Sequence, residues 1–421
     1  MKGKIIIGQN ACYDTDISKN GQNNNVLVVG ATGTGKTVSI VTPNLLNEDG
    51  SYILCDPKGS LYGKYAERMR RDGYAVKRVS FIRPELSSHY NPLAYISGEE
   101  DIAKMAHAIV YSDVKEGKGH LADPFWDQTA EILLTALIGY LAEFCPKADQ
   151  NLKNVCKLLR AAENSQDNCG SESTLDRVFA EAKKRSERTG KDSYAVRQYE
   201  QYRLAADRTL RSIQISLAAL VARFDVEPLR SMMEYDEIDF ASAGRKRTVI
   251  FTEISDCDRS MDVIANLFFS QAVRELMRYA DTKCSGFKLP VPVKFILDDF
   301  ATNVTIGDFP RMISSFRSRQ ISVMIMIQSE SQLAARYGEE AETVISNCDT
   351  YVYLGSNDIR QASCIATRAD CPVKDILEMK CGDMWVFRRG ESPLFTKRVE
   401  LGTCYRECGR AEGAGPEIES A

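Results

Sequence analysis

Three histidines in 421 residues, His89, His107 and His120, leave little for a metal centre built on imidazole. The closest cysteine pair, Cys404 and Cys408, has none of them nearby, so a zinc site there is disfavoured. Paired cysteine spacing is missing too. Thirteen cysteines scatter along the chain, an odd number, and some, such as Cys55, fall inside apolar strand-like runs. That usage excludes a disulfide scaffold and fits reduced thiols in a cytosolic compartment. Positive charge is not in excess: 54 Lys and Arg stand against 58 Asp and Glu, a net charge of −4. The chain is therefore no general polycation, and any grip on nucleic acid must come from a local patch or a ring lumen. No signal peptide is read, and no apolar run reaches the ~18 residues that span a bilayer. The best, 132–142, runs into Glu143.

What is present is an ordinary soluble composition, 44% hydrophobic and 27% charged, over a length that suits one large domain with an insertion, or two domains. Short apolar runs at 4–8, 26–29, 51–56 and 76–81 read as strands. Residues 9–25 are polar and turn-rich. Between 123 and 236 the strand pattern gives way to helical periodicity, at 126–145, 152–163, 175–188, 194–206 and 209–224. Strands return at 248–253, 293–297, 322–327 and 351–354, with a long amphipathic helix at 261–279 and a hairpin of 383–387 with 394–399. No internal repeat is found. Strands alternating with helices predict an α/β fold with a mostly parallel, doubly wound sheet. The predicted parts are 1–122 and 237–408 as two pieces of one α/β domain, 123–236 as an inserted all-α domain, and 409–421 as a disordered tail.

The strand at 26–29 feeds directly into Gly30-Ala31-Thr32-Gly33-Thr34-Gly35-Lys36-Thr37, and a helix-compatible stretch follows to about 46. This is a complete P-loop pattern in its required strand-to-helix context. Glycines let the backbone turn tightly, so that successive N–H groups face a phosphate. The helix N-terminus favours the same anion. Lys36 supplies charge to the β- and γ-phosphates, and Thr37 a hydroxyl ligand to Mg2+.

A P-loop also needs carboxylates. The strand at 293–297 delivers Asp298 and Asp299 at its C-terminal end, where open α/β sheets bind ligands. Asp298 is the candidate Mg2+ ligand, through water, and Asp299 the candidate polariser of attacking water. Alternatively, the two are a surface pair ending a strand. The reading requires loop and acid pair to meet on neighbouring strands. Their wide separation in sequence fits a sheet interrupted by the helical block, and favours a large motor over a nucleotide kinase. Further on, Arg317 and Arg319 sit on or just after a helix starting near Phe309, and Gln328 ends the next strand. A polar residue at that strand tip can sense the γ-phosphate, and an arginine near a subunit edge can complete a neighbour's site. Solvated helix-end charges are the plainer account of the arginines.

These segments resemble a known family. Phe295-Ile296-Leu297-Asp298-Asp299-Phe300-Ala301, Arg317-Ser318-Arg319, Ile327-Gln328-Ser329, Gln332-Leu333, Tyr337-Gly338 and the run from Ala341 to Asn347-Cys348-Asp349 are similar to TraG/TraD-type coupling proteins of conjugation and type IV secretion. So are the P-loop with Asn25 before it, Asp56-Pro57-Lys58-Gly59, Tyr90-Asn91-Pro92-Leu93 and Asp123-Pro124-Phe125-Trp126. The likeness spans about 25–355. It implies a RecA/FtsK-like ATPase domain, an inserted helical domain receiving cargo, and a hexamer with ATP and Mg2+ at subunit interfaces around a DNA channel. It assigns Lys36 and Thr37 to the P-loop, Asp298 to the metal, Gln328 to sensing and Arg317 to trans action, with Arg319 the weaker candidate. Implied partners are single- or double-stranded DNA, a relaxase or relaxosome, and type IV secretion membrane components. The implied place is cytoplasmic, at the inner face of the membrane; a monomer in isolation is compatible.

Two departures stand out. The family usually carries Asp-Glu where this chain has Asp298-Asp299, which implies slow turnover. Members usually carry membrane helices ahead of the P-loop, which implies here a separately supplied anchor, a membrane-free variant or a truncated form of the chain. Alternative readings are a protein-effector coupling ATPase, an ATP-bound docking platform for relaxase, and a hexameric helicase. Basic candidates for DNA contact are Arg68-Met69-Arg70-Arg71 with Lys77-Arg78, and Lys183-Lys184-Arg185.

Overall fold

The computed structural model describes residues 3–47, 49–111, 124–163 and 173–399. The predicted tail, the Cys404/Cys408 pair and the boundary at 122/123 lie outside them.

Eleven strands form among these residues: β1 (Lys4–Gly8), β2 (Ala11–Asp14), β3 (Val26–Val29), β4 (Ser51–Asp56), β5 (Ala75–Ser80), β6 (Thr248–Glu253), β7 (Val293–Leu297), β8 (Ile321–Ile327), β9 (Thr350–Tyr353), β10 (Asp383–Arg388) and β11 (Leu394–Lys397). β1 and β2 make a small hairpin; the other nine form one sheet in the order β11-β10-β9-β3-β8-β7-β4-β6-β5. From β9 to β5 every pairing is parallel; β10 and β11 close one edge antiparallel.

The parallel strands read as continuous apolar runs because both their faces are covered. All residues of β3, β4, β6, β7, β8 and β9 are buried. Alternate side chains divide between two layers, as the strand period demands. Leu27, Ile53, Phe295 and Ile325 join a core with the helical block and the long helix Asp262–Lys283. Val28, Leu54, Ile296 and Met326 join a second core with the N-terminal hairpin, the segment after the P-loop and helix Ser60–Arg71.

Between β5 and β6 the described residues contain helices and no strand. The principal ones are Glu99–Val110, Pro124–Phe144, Leu152–Glu163, Thr174–Thr189, Tyr194–Tyr202 and Asp207–Val221. Their buried faces include Leu133, Leu137, Val155, Phe179, Tyr199 and Ile213. Phe179 and Tyr199 stack with ring centroids 3.9 Å apart.

The stretch 9–25, expected only as polar loop, contains β2 and a short helix, Ile17–Asn20, capped by Asp16. Its asparagines then tie the sheet together. Asn25 Oδ1 accepts the N–H of Val323 and its Nδ2 donates to Asn347 O. Asp349 accepts the N–H of Asn23. The Asn347-Cys348-Asp349 run thus staples β3, β8 and β9 at their N-terminal edge, away from the phosphate loop.

Candidate nucleotide site

β3 ends at Val29 and the P-loop turns back at once. A Cβ on Gly30 would stand 2.8 Å from Leu354 Cβ, and Gly33 and Gly35 have φ of +83° and +81°, so glycine is required sterically at the first and conformationally at the other two. Gly30 N–H donates to Ile327 O and Ala31 N–H to Gly355 O, which hangs the loop on the strands either side of β3. Thr34 Oγ1 donates to Ala31 O at 2.8 Å. The expected helix begins as a wide π-type turn, Thr37–Val41, before a short α-turn, Thr42–Leu45. Pro43 in that turn lacks an N–H, and Thr42 N–H bonds Thr37 O five residues back. Asn44 welds this segment to β1: it accepts the N–H of Ile6 and donates to Ile6 O.

Lys36 folds over its own loop. Its Nζ donates to Gly30 O at 2.7 Å and Ala31 O at 3.4 Å, and the residue is 8% exposed. Burial pushes its pKa down, against the opposing pull of Asp299 and Asp298. The ammonium is therefore poorly solvated and short of counter-charge, the state a phosphate anion relieves.

Thr37 and Asp298, 261 residues apart, meet directly: Thr37 Oγ1 donates to Asp298 Oδ2 at 2.6 Å. They do so across one more strand than expected. β8 lies between β3 and β7, so loop and acid pair are not on neighbouring strands. The chain order predicted strand tips, not their lateral sequence, and the register of β8 on both sides still brings the tips into contact. Asp298 is 7% exposed. Burial raises its pKa, the Thr37 hydroxyl lowers it, and Asp299 raises it. Asp299 sits at φ 50° and donates its N–H to Asp298 Oδ1 at 3.1 Å. Ala301 follows at φ 67°. Left-handed backbone at two non-glycine residues marks a turn held by its surroundings. Arg336 donates to Ala301 O, and the Tyr337 hydroxyl bonds Ile306 N–H and O. The Tyr337-Gly338 segment therefore braces the loop behind the acids.

The donor set suits a hard cation. Two adjacent ligands of an octahedral Mg2+ stand about 2.9 Å apart, close to the Thr37–Asp298 separation. Thr37 and Asp298 are thus the residues that would hold Mg2+, Asp298 directly or through water.

Gln328 caps β8, between the loop strand and the acid strand, half-buried, with its N–H held by Gln332 Oε1 at 2.9 Å. Arg317 and Arg319 do not come to this site. The helix from Phe309 ends at Ile313, and a 3-10 turn, Arg317–Arg319, precedes β8. That is the opposite edge of the sheet, roughly 23 Å away at the rise of a seven-residue strand. Arg319 is tied to Asp281 by two bonds of 2.8 and 2.9 Å. Arg317 is exposed, and its side chain has no partner among the described residues.

Three further polar groups at this end of the sheet had no role assigned from the sequence. Asp56, at the end of β4, accepts the N–H of Leu61 in the first turn of helix Ser60–Arg71 at 2.6 Å. Glu253, fully buried, takes Arg78 at 2.8 and 3.0 Å and Ser80 Oγ at 2.6 Å. Arg398 reaches Thr34 O at 3.2 Å. The Asp-Pro-Lys-Gly segment could have signalled the first; nothing local signals the others. Several basic candidates are already paired: Arg68 with Asp72, Arg70 and Arg71 with Glu67, Arg78 with Glu253, and Lys183 with Glu200.

With this geometry in place, the family model described as "Type IV secretory system Conjugative DNA transfer" matches residues 1–369. The chain belongs to that family. Protein VirD4 of Rhizobium rhizogenes is 25% identical over 357 residues, covering 80% of this chain and 48% of the relative. The chain thus spans about half the length of the curated relatives it matches. Among solved structures, the bacterial conjugative coupling protein TrwBdeltaN70 in its unbound monoclinic form aligns with TM-score 0.66 at 15% identity, covering 95% of this chain and 89% of that one. The plasmid coupling protein TrwB in complex with ADP and Mg2+ aligns at 0.60 and 15%, covering 89% and 85%. At such identities the fold is what is shared: a RecA-like P-loop α/β fold. No helix among the described residues is long and apolar enough to cross a membrane.

Proposed function

We propose that this chain is the ATP-hydrolysing part of a conjugative type IV coupling protein, which receives relaxase–DNA cargo and drives DNA transfer. The direct contact of Thr37 with Asp298 carries the reading. Loop amides from Gly33 to Thr37 bind the β- and γ-phosphates, and Lys36 leaves its loop carbonyls for the phosphate oxygens. A Mg2+ ion held by Thr37 and Asp298, when bound, neutralises charge on the β- and γ-phosphate oxygens. Asp299 orients and polarises the attacking water, and Gln328, at the strand tip between loop and acids, senses γ-phosphate loss. The bond that breaks lies between the β,γ-bridging oxygen and the γ-phosphorus.

Arg317, exposed at the far edge of its own sheet, acts in a neighbouring subunit's site, which requires a ring; we take this to be a hexamer with DNA in its lumen. The helical segment 123–236 is the proposed cargo-receiving domain. The machine works at the cytoplasmic face of the membrane beside secretion-channel components. ADP and Mg2+ in the TrwB complex support the choice of ATP and Mg2+.

The test is ATPase activity of wild type and Lys36→Ala, each with and without DNA, across salt concentrations. Wild-type turnover stimulated by DNA, with stimulation fading as salt rises, is expected. A rate indifferent to Lys36 sinks the ATPase reading; a Lys36-dependent rate indifferent to DNA sinks the DNA-transfer reading.

A further inference from the structure

β11 carries the chain back to the phosphate loop. β10 runs antiparallel to β9, and β11 antiparallel to β10, so β11 runs with β9 and its C-terminal end reaches the edge where the P-loop lies. The next residue, Arg398, is fixed there by its backbone: its N–H donates to Gly382 O at 2.8 Å. Its side chain crosses to the loop, and Nη1 donates to Thr34 O at 3.2 Å. Two glycines lie along its path, Gly35 close against the guanidinium and Gly382 at ordinary contact distance. A Cβ on Gly35 would stand 2.7 Å from Nη1, and one on Gly382 3.6 Å from Nε. Among the described residues Arg398 has no ion pair, unlike Arg388 and Arg389 nearby, which pair with Glu391 and Asp349. Among the described residues the guanidinium is thus a cation without a carboxylate partner, set against the glycine that must present its amide to a phosphate.

The contact has a direction. In the Thr34–Gly35 peptide the carbonyl and the N–H point oppositely. A cation on Thr34 O draws electron density toward the oxygen and leaves the Gly35 N–H more positive, which strengthens its bond to an anion on the other side. The same charge adds to that of Lys36 in the field of the loop.

We propose that Arg398 is a positioning residue of the nucleotide site, a second cation acting in cis that fixes and polarises the Thr34–Gly35 peptide for a polyphosphate anion. The inference rests on the nucleotide-binding reading above. It makes the hairpin of β10 and β11 a working part of the phosphate loop.

Fluorescently labelled ADP, titrated without metal into the full chain, tests it with wild type, Lys36→Ala, Arg398→Ala, Arg398→Gln and Arg398→Lys. Gln can keep a hydrogen bond to Thr34 O but carries no charge; Lys keeps the charge. The expected result is affinity about tenfold weaker for Ala and for Gln, with a shallower salt dependence, and recovery to within about threefold of wild type for Lys. Gln binding as tightly as wild type overturns the proposal, because the arginine is then only a prop. Lys as weak as Gln overturns it too, because charge is then not the agent. Circular dichroism of each variant separates lost folding from lost affinity, and the Gln variant decides if Ala does not fold. Wild type that binds no ADP defeats the nucleotide reading itself. Wild type that binds through Lys36 but ignores every Arg398 variant defeats this proposal alone.

Discussion

Thr37→Val removes one hydrogen bond and little else. Valine keeps the branched shape at Cβ, so the turn after the P-loop is preserved, but the hydroxyl that donates to Asp298 at 2.6 Å is gone. Asp298, 7% exposed, keeps the Asp299 N–H at 3.1 Å. A hydrogen bond to a charged group contributes about 1.5–3 kcal/mol, a large share of the roughly 5–15 kcal/mol that separates folded from unfolded chains. The loss should depend on pH, with a definite sign. Burial already raises the folded-state pKa of Asp298, and the Thr37 hydroxyl holds it down. Without that hydroxyl the folded-state pKa rises further. A carboxyl whose folded pKa lies above its unfolded value contributes stability in acid that is lost as pH rises through that window. The variant should therefore lie close to wild type where Asp298 is protonated in both, and fall short by the full amount at neutral pH. Urea denaturation in acid and at neutrality, beside Thr37→Ser as the hydroxyl-retaining control, measures this. Mg2+-dependent binding of labelled ATP should fall in Val and persist in Ser. Equal unfolding midpoints at both pH values, with unchanged Mg2+ dependence, would refute the reasoning that Thr37 and Asp298 form one site.

Lys36→Met should reduce nucleotide affinity by at least about 10² while slightly raising the melting temperature of the unliganded protein, because the buried ammonium is held in unfavourable solvation. Asp299→Glu should raise steady-state ATPase by extending the carboxylate one methylene toward water, and an unchanged or lost rate counts against Asp299 as the water-polarising group. Arg317→Ala should bind nucleotide normally yet turn over about 10³-fold more slowly. Mixing it with Lys36→Ala should restore part of the rate, since mixed rings set intact loops against intact arginines; no recovery argues against action in trans. Glu253→Gln should cost about 1–3 kcal/mol by leaving the partly buried Arg78 without its carboxylate, and adding Arg78→Met should recover much of that loss in the same denaturation assay.

The parallel strands were legible because they are covered on both faces and so appear as unbroken apolar runs, and the P-loop because its chemistry is contiguous. Asp298 was legible by position, as a carboxylate at a strand tip. Less visible was anything assembled laterally. Nothing in the run of β8 says that it separates β3 from β7, since a parallel order is chosen by crossover connections and not by the strands themselves. Asn23 and Asn25 looked like loop residues because their side chains bond carbonyls and amides 298 to 326 residues away. Arg398 carries no local pattern at all; its partner is a main-chain oxygen, which any sequence supplies. Arg317 was legible only as an arginine following a helix; the fold places it at the N-terminal end of β8, away from the phosphate loop.

The interposed strand has a mechanical consequence. Two interstrand spacings, about 9.6 Å, lie between the backbone that turns into the glycine loop and the backbone that ends in the acids, and β8 fills that span. Sliding β8 by a single residue would turn Met324 and Met326 into the layer now occupied by Val323 and Ile325. Such a slip would also displace Gln328 from the gap. The distance between the glycine loop and the acid pair is thus gauged by a seven-residue spacer, β8, and under the proposed function conservative swaps in its methionines are expected to alter turnover before they alter binding.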